Sequence, residues 1–191
     1  MEPKRWQKSK SKTIMETRIF KLREDGWVSP ITHEEHPFWC LDPLPWVNII
    51  PLTVDRQVIM IRQFRFGVEK FTLEIPGGMC EKPDEPPVEA ARRELLEETG
   101  YTARTLIHLG AIEPNPAIQS NLCHSFLALD ISPGTGQHLD PTEGQMDIVQ
   151  VPLIEVPMLI AKGDISHALV VVAFTYLDLY EKGMIPSSCR S

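Results

Sequence analysis

Cysteine is scarce in this 191-residue chain: Cys40, Cys80, Cys123 and Cys189 are scattered, with no CxxC spacing and no paired histidine. That pattern excludes a zinc cage or a disulfide framework and leads us to expect the reduced thiols of a cytoplasmic protein. Long apolar runs are also missing. The longest, residues 168–174, is far too short to cross a bilayer, so no membrane span is expected. The N-terminus is basic but lacks an apolar h-region, so no secretory signal is expected. Nor is there an excess of basic residues: the net charge is −7. Residues 1–12 hold five basic side chains against Glu2 alone, a local +4 that leaves the rest at −11. So acidic a body is a poor match for a nucleic-acid polymer, whose phosphates call for basic surface. The basic segment itself reads as a solvated edge strand whose lysines discourage pairing with other chains, with a weak polyanion-binding tail as the alternative. Internal repeats and low-complexity tracts are absent as well.

What is present is ordinary globular material. Hydrophobic content of 42% and charged content of 24% suit one domain with a substantial core, plus a small N-terminal extension. Short strands are expected at 18–22, 26–28, 38–41 and 46–52, with the proline-rich 42–45 as a hinge. The cleanest strand is 57–66, with Val58, Met60 and Phe64 on one face and Ile59 and Ile61 on the other. Residues 73–78 read as a strand running into a glycine turn. Beyond a central helix come strands near 105–112 and 123–129, a loop over 132–145 and a short strand at 149–151. A helix over 153–162, softly broken at Pro157, and a final helix over 165–181 follow. Strands and helices mixed in this order predict an α+β fold with a mixed sheet packed between helices.

The most informative stretch is the central helix. Glu94, Glu97 and Glu98 stand at i, i+3 and i+4, so three carboxylates crowd one face. Such pairs repel by a few tenths of a kcal/mol each, roughly, and a helix that needed only solubility has little reason to stack them. A hard divalent cation removes the conflict, because Mg²⁺ or Mn²⁺ takes oxygen ligands and is held by one or two carboxylates plus substrate phosphate. Asp84, Glu85 and Glu89 place negative charge at the helix start, where the macrodipole favours it. Pro86 and Pro87 fit its first turn, and Gly100 falls where a left-handed residue would end it. Val88, Ala91 and Leu95 supply an apolar stripe, and Arg93 can reach Glu97 at i+4.

Together these residues resemble the signature of the Nudix hydrolase family. That box is a glycine, five residues, a glutamate, seven residues, then Arg-Glu-aliphatic-x-Glu-Glu-x-Gly-aliphatic. Gly78, Glu85, Arg93, Glu94, Leu95, Glu97, Glu98 and Gly100 match it. The chain departs from it twice: six residues separate Gly78 from Glu85, and Tyr101 takes the final aliphatic place. The box covers about a tenth of the chain, and a weaker resemblance runs over 17–182. It implies an α/β/α sandwich and a metal-dependent hydrolase of nucleoside diphosphates linked to another moiety. Residues 1–44 then form a β extension, 45–183 the hydrolase domain and 184–191 a flexible tail. Glu94 and Glu98 are the implied metal ligands, Glu97 a third ligand or a bridge, and the Gly77 carbonyl a further one. Glu74 belongs to the outer shell.

Three further features are similar to the ADP-ribose pyrophosphatase subgroup. Pro116 lies fifteen residues beyond Tyr101. Arg65, within Arg62-Gln63-Phe64-Arg65, matches an arginine that contacts substrate, and a guanidinium fork suits a diphosphate. The N-terminal strands with Trp27, Trp39 and Trp46 resemble an extension that swaps across a homodimer and stacks the base. The implied substrate is ADP-ribose or another small nucleoside diphosphate sugar. The subgroup takes its general base from a late loop, where Glu143 is first choice and Asp147 the reserve, with Glu97 remaining if neither serves. A housecleaning nucleoside triphosphatase would share the metal helix without needing the extension or Arg65; a non-catalytic nucleotide sensor would keep the fold but lose glutamates of the box, all of which this chain keeps.

Overall fold

Four consecutive apolar residues, Val58 to Ile61, need cover on both faces of a strand, and the fold supplies it: all four are fully buried. The strand is β5 (Gln57–Arg65). The computed structural model describes residues 3–139 and 145–185, which fall into two compact units. The first comprises Met1–Leu44 and Glu113–Leu122, the second Pro45–Ile112 and Cys123–Ser191.

The first unit is an antiparallel sheet of β1 (Gln7–Glu16), β2 (Lys21–Val28) and β3 (Glu35–Asp42), in that order. The expected strands at 18–22 and 26–28 are one strand, β2, entered through a turn in which Thr17 accepts from Ile19 and Phe20. Every residue of β1 is exposed, as a lysine-bearing edge strand should be. Glu113–Leu122 joins this unit because the Leu41 N–H donates to the Ile118 carbonyl at 2.7 Å and Leu41 bridges Gln119 in parallel. This departs from the boundaries expected from the sequence, which keep 113–122 within the domain over 45–183.

The second unit holds two sheets. One is mixed, in the order β7 (Gly77–Met79), β4 (Trp46–Pro51), β9 (Cys123–Pro133), β8 (Tyr101–Ile112); β4 and β9 run parallel. The other is antiparallel, β10 (Asp147–Pro152), β5, β6 (Lys70–Glu74). The expected strand over 73–78 is therefore two strands in different sheets. The cause is Ile75-Pro76, where proline has no N–H for a ladder while its carbonyl accepts from Ile49 at 2.9 Å.

Helix α1 (Pro87–Thr99) packs on β4, β7 and β8, and α3 (Ala168–Glu181) on β4, β8 and β9. Ile50 joins the cluster with Val170, Ala173 and Leu177 of α3, so alternation turns Val47 and Ile49 the other way. The apolar face of α1 is Ala90, Ala91 and Leu95, with Val88 only half buried. The helix expected over 153–162 is a 3₁₀ turn, Leu153–Glu155, followed by α2 (Val156–Lys162), with Pro157 in the first turn of α2. Ile165 is buried ahead of α3 and not within it. Phe64 stands 37% exposed beside Phe66 and Phe71, because β5 outruns the core there.

Candidate active site

The chain places α1 by local chemistry at both ends. Pro86 occupies the N-cap and Pro87 the first turn, while Gly100 at φ 70° closes the helix by donating its N–H to the Leu96 carbonyl. One buried flank of the helix then meets Gly77 and Gly78, where the chain turns out of Ile75-Pro76 into β7. Glu98 is 2% exposed and accepts the Gly77 N–H on Oε2 at 2.7 Å. Glu94, 6% exposed, lies so close to Gly78 that a Cβ there would collide with its carboxylate, and a Cβ on Gly77 would strike the Val47 carbonyl. Both glycines are needed for this approach.

Glu97 has a different fate. Its side chain is 37% exposed and accepts from Arg93 Nη1 at 3.1 Å. The same nitrogen donates to Glu94 Oε1 at 2.8 Å, and Arg93 Nη2 donates to the Met79 carbonyl at 3.1 Å. Glu85 Oε1 lies 3.6 Å from Arg93 Nε, so the extra residue between Gly78 and Glu85 is absorbed in the turn without moving Glu85 out of reach. Burial opposes the charge of Arg93, but Glu94 and Glu97 outweigh it and hold the guanidinium protonated.

Arg65 and Glu74 are brought together. Arg65 grips the buried Glu74 with a fork, Nε to Oε1 at 2.9 Å and Nη2 to Oε2 at 2.7 Å. Thr72 Oγ1 donates to Oε1 at 2.6 Å, and His167 Nδ1 lies 2.7 Å from Oε2. Burial pushes this carboxyl up, yet the bonds from Arg65 and His167 and the charge of Arg65 hold it well below the usual carboxylate range. Four donors fill its acceptor sites, leaving none for a metal. Neither Thr72 nor His167 is among the candidates from sequence: Thr72 shares a strand face with Glu74 at i−2, a weak signal, and no spacing signal links His167 to a residue 93 positions away.

In the first unit, Trp39 and Pro116 line a cavity of about 560 Å³ together with Trp6, Trp27, Phe38 and Arg23. Trp39 is half exposed, and Lys8 Nζ stands 5.7 Å from the Trp27 ring centroid. Trp46 lies in the second unit, paired with Met79 of β7 and Cys123 of β9. Asp147 opens β10, exposed and opposite Arg62. Glu143 lies outside the described residues, as do Cys189 and most of the 184–191 tail.

The donor set at the turn is oxygen alone, and its two buried carboxylates fit a hard divalent ion. Among the described residues no three His, Cys, Asp or Glu side chains close into a cage, so water or phosphate oxygens would complete a shell there. Also among the described residues, no helix is long and apolar enough to cross a membrane.

Comparison with known proteins bears on the whole arrangement. The model of the Nudix domain matches residues 43–172. An ADP-ribose pyrophosphatase of Bacillus subtilis is 35% identical over 71% of this chain and 72% of its own length. The methanol dehydrogenase activator of Bacillus methanolicus is 30% identical over 90% and 92%. The ADP compounds hydrolase NudE of Escherichia coli is 31% identical over 72% of each chain. A crystal structure of an ADP compounds hydrolase superposes with a TM-score of 0.82 at 24% identity, covering 97% of this chain and 100% of that one, which speaks for the fold. With its signature helix closed on a double-glycine turn and a family match over two thirds of its length, the chain belongs to the Nudix hydrolases, enzymes that generally need divalent metal ions.

Proposed function

We propose that this enzyme hydrolyses the diphosphate of ADP-ribose or a related nucleoside diphosphate sugar, releasing a nucleoside monophosphate and a sugar phosphate. The observation that carries the reading is the convergence of the buried Glu94 and Glu98 on the Gly77-Gly78 turn. The names of two of the relatives, an ADP-ribose pyrophosphatase and an ADP compounds hydrolase, point to the substrate class. Glu94, Glu98 and the Gly77 carbonyl are the proposed ligands of Mg²⁺, or of Mn²⁺, with Glu97 as a third carboxylate. When bound, such an ion neutralises the non-bridging oxygens of the diphosphate. Arg93 orients Glu94 and Glu97 and takes no proton. The proton of the attacking water goes to Glu143, with Asp147 and Glu97 as the other acceptors. Arg65 receives the diphosphate, and Trp39, Trp46 and Pro116 are the candidates for holding the base.

The first unit supports a homodimer. Three strands are the least that can stand alone, and then only with an apolar face to bury; here Trp6, Phe38 and Trp39 remain 41–50% exposed. We assign the partner role to a second copy, whose substrate pocket this sheet helps to build.

Hydrolysis rates across ADP-ribose, GDP-mannose, UDP-glucose, NADH and the nucleoside triphosphates, with Mg²⁺ and with chelator, test the assignment. A nucleotide sugar should exceed every triphosphate in kcat/KM by at least about tenfold, a difference of roughly 1.4 kcal/mol. Chelation should abolish turnover, and Arg65→Ala should penalise the nucleotide sugar far more than a triphosphate. If triphosphates are preferred and Arg65→Ala affects both alike, the housecleaning reading replaces this one.

A further inference from the structure

His167 has no role in the chemistry above, yet its side chain is placed with care. It is the N-cap residue of α3, but it makes no side-chain capping bond. Instead its ring reaches back to β6, the edge strand of its sheet, and meets the last residue of that strand, Glu74. Because Glu74 is held ionised, it can only accept, so the proton must sit on Nδ1 and the imidazole donates. Of the four donors on this carboxylate, three come from the β5–β6 hairpin itself: two from Arg65 and one from Thr72. Among the described residues, only His167 ties it to the core-packed helix. Next to it, Lys70 Nζ donates to Ser166 Oγ at 3.4 Å, a second and weaker tie between the same segments.

A carboxylate bound solely by its own hairpin can swing with that hairpin, and a bidentate guanidinium must swing with it. A donor from outside the hairpin removes that freedom. We propose that His167 is a positioning residue: through Glu74 it fixes the guanidinium of Arg65 in the orientation that receives the substrate diphosphate. This rests on the role assigned to Arg65 above. His167 neither touches substrate nor transfers a proton here. Its contribution is that, with Nε and Nη2 of Arg65 held on Glu74, the outward N–H groups of this 43% exposed side chain are preset before substrate arrives.

The test uses the full-length enzyme with Mg²⁺ and ADP-ribose, comparing wild type with His167→Ala, His167→Asn, Arg65→Ala and the double variant His167→Ala/Arg65→Ala. Each is also followed by its melting temperature, and wild type and the two single His167 variants by the NMR resonance of the Arg65 Nε–H group. Expected is a rise in KM of about five- to tenfold in His167→Ala, with kcat changed by less than about twofold. His167→Asn, which carries an N–H donor near the Nδ1 position, should recover KM to within about twofold. In the Arg65→Ala background His167→Ala should add less than about twofold, since the two act as one unit. The proposal is overturned if Arg65→Ala raises KM while His167→Ala does not, or if the two effects multiply. An Arg65→Ala variant with unchanged KM overturns the diphosphate role of Arg65 instead. The resonance then reports on the tie by itself: moved by His167→Ala, it upholds the tie; unmoved, it overturns it.

Discussion

Glu97 and Glu98 are neighbours in sequence with opposite environments. One is over a third exposed and paired with Arg93; the other is 2% exposed and bonded to the Gly77 N–H. The i, i+3, i+4 spacing announced a carboxylate cluster, but spacing places all three on one face and cannot say which are buried. Burial belongs to the glycine turn opposite. Glu98→Gln should therefore lower activity by about two orders of magnitude or more, roughly 3 kcal/mol of barrier, with the melting temperature nearly unchanged. The amide oxygen of glutamine can still accept the Gly77 N–H, which preserves the fold while removing the charge. Full activity of Glu98→Gln at saturating Mg²⁺ would sink the assignment. Arg65 shows the reverse case. Its residue type suggested a phosphate contact, and only the folded chain reveals the buried Glu74 that it grips.

At the scale of elements, α1 was legible because its signals are local. Prolines at the start, a left-handed glycine at the end and apolar residues on one face fix Pro87–Thr99 without help from the rest of the chain. Gly100 carries the stop, and an added Cβ would meet both a left-handed φ and the Gly136 backbone at 2.8 Å. Gly100→Ala should cost about 1 kcal/mol or more, read as a fall in melting temperature of roughly 2–4 °C. An unchanged melting temperature would mean that the cap is not under strain. The division of residues 73–78 between β6 and β7 was not legible. A strand's sheet is chosen by its neighbours, and Glu74 pairs with Ile61 while Gly77 pairs with Asn48, residues far apart in sequence.

Two properties belong to the whole molecule. We expect a dimer by light scattering at micromolar concentration, and a fully active monomer would count against the role given to the first unit. The second property is acid lability in two limbs. His108 on β8 and His124 on β9 lie with ring nitrogens 3.2 Å apart, and burial pushes both down. The unfolded chain then takes up those protons first. This stabilisation is complete above about pH 6.5 and is lost as pH falls towards the lower folded values. The carboxylates follow. Burial opposes ionisation of Glu74 and Asp25, but Arg65 and His167 outweigh it at Glu74, as Ser11, Lys8 and Arg23 do at Asp25. Both are ionised in the fold where unfolded carboxylates protonate, so their contribution is complete above about pH 4.5 and is lost below it. Melting temperatures from pH 8 to 3 should fall in both ranges, with His124→Phe flattening the upper limb and Glu74→Gln the lower. A flat profile from pH 7 to 5 would refute the histidine limb.

By itself the sequence determined the signature helix, its family and the class of chemistry, because short-range spacing and end-capping are written in consecutive residues. It also determined the exposed basic edge strand, since lysines keep such a strand in water wherever it lies. The tertiary structure alone decided which carboxylates are buried and which segment joins the first unit through Leu41. It also decided how a histidine 93 positions away comes to hold Glu74. Those outcomes depend on pairings between distant strands and helices, and a side chain's partner across such a pairing leaves no periodic trace in either segment.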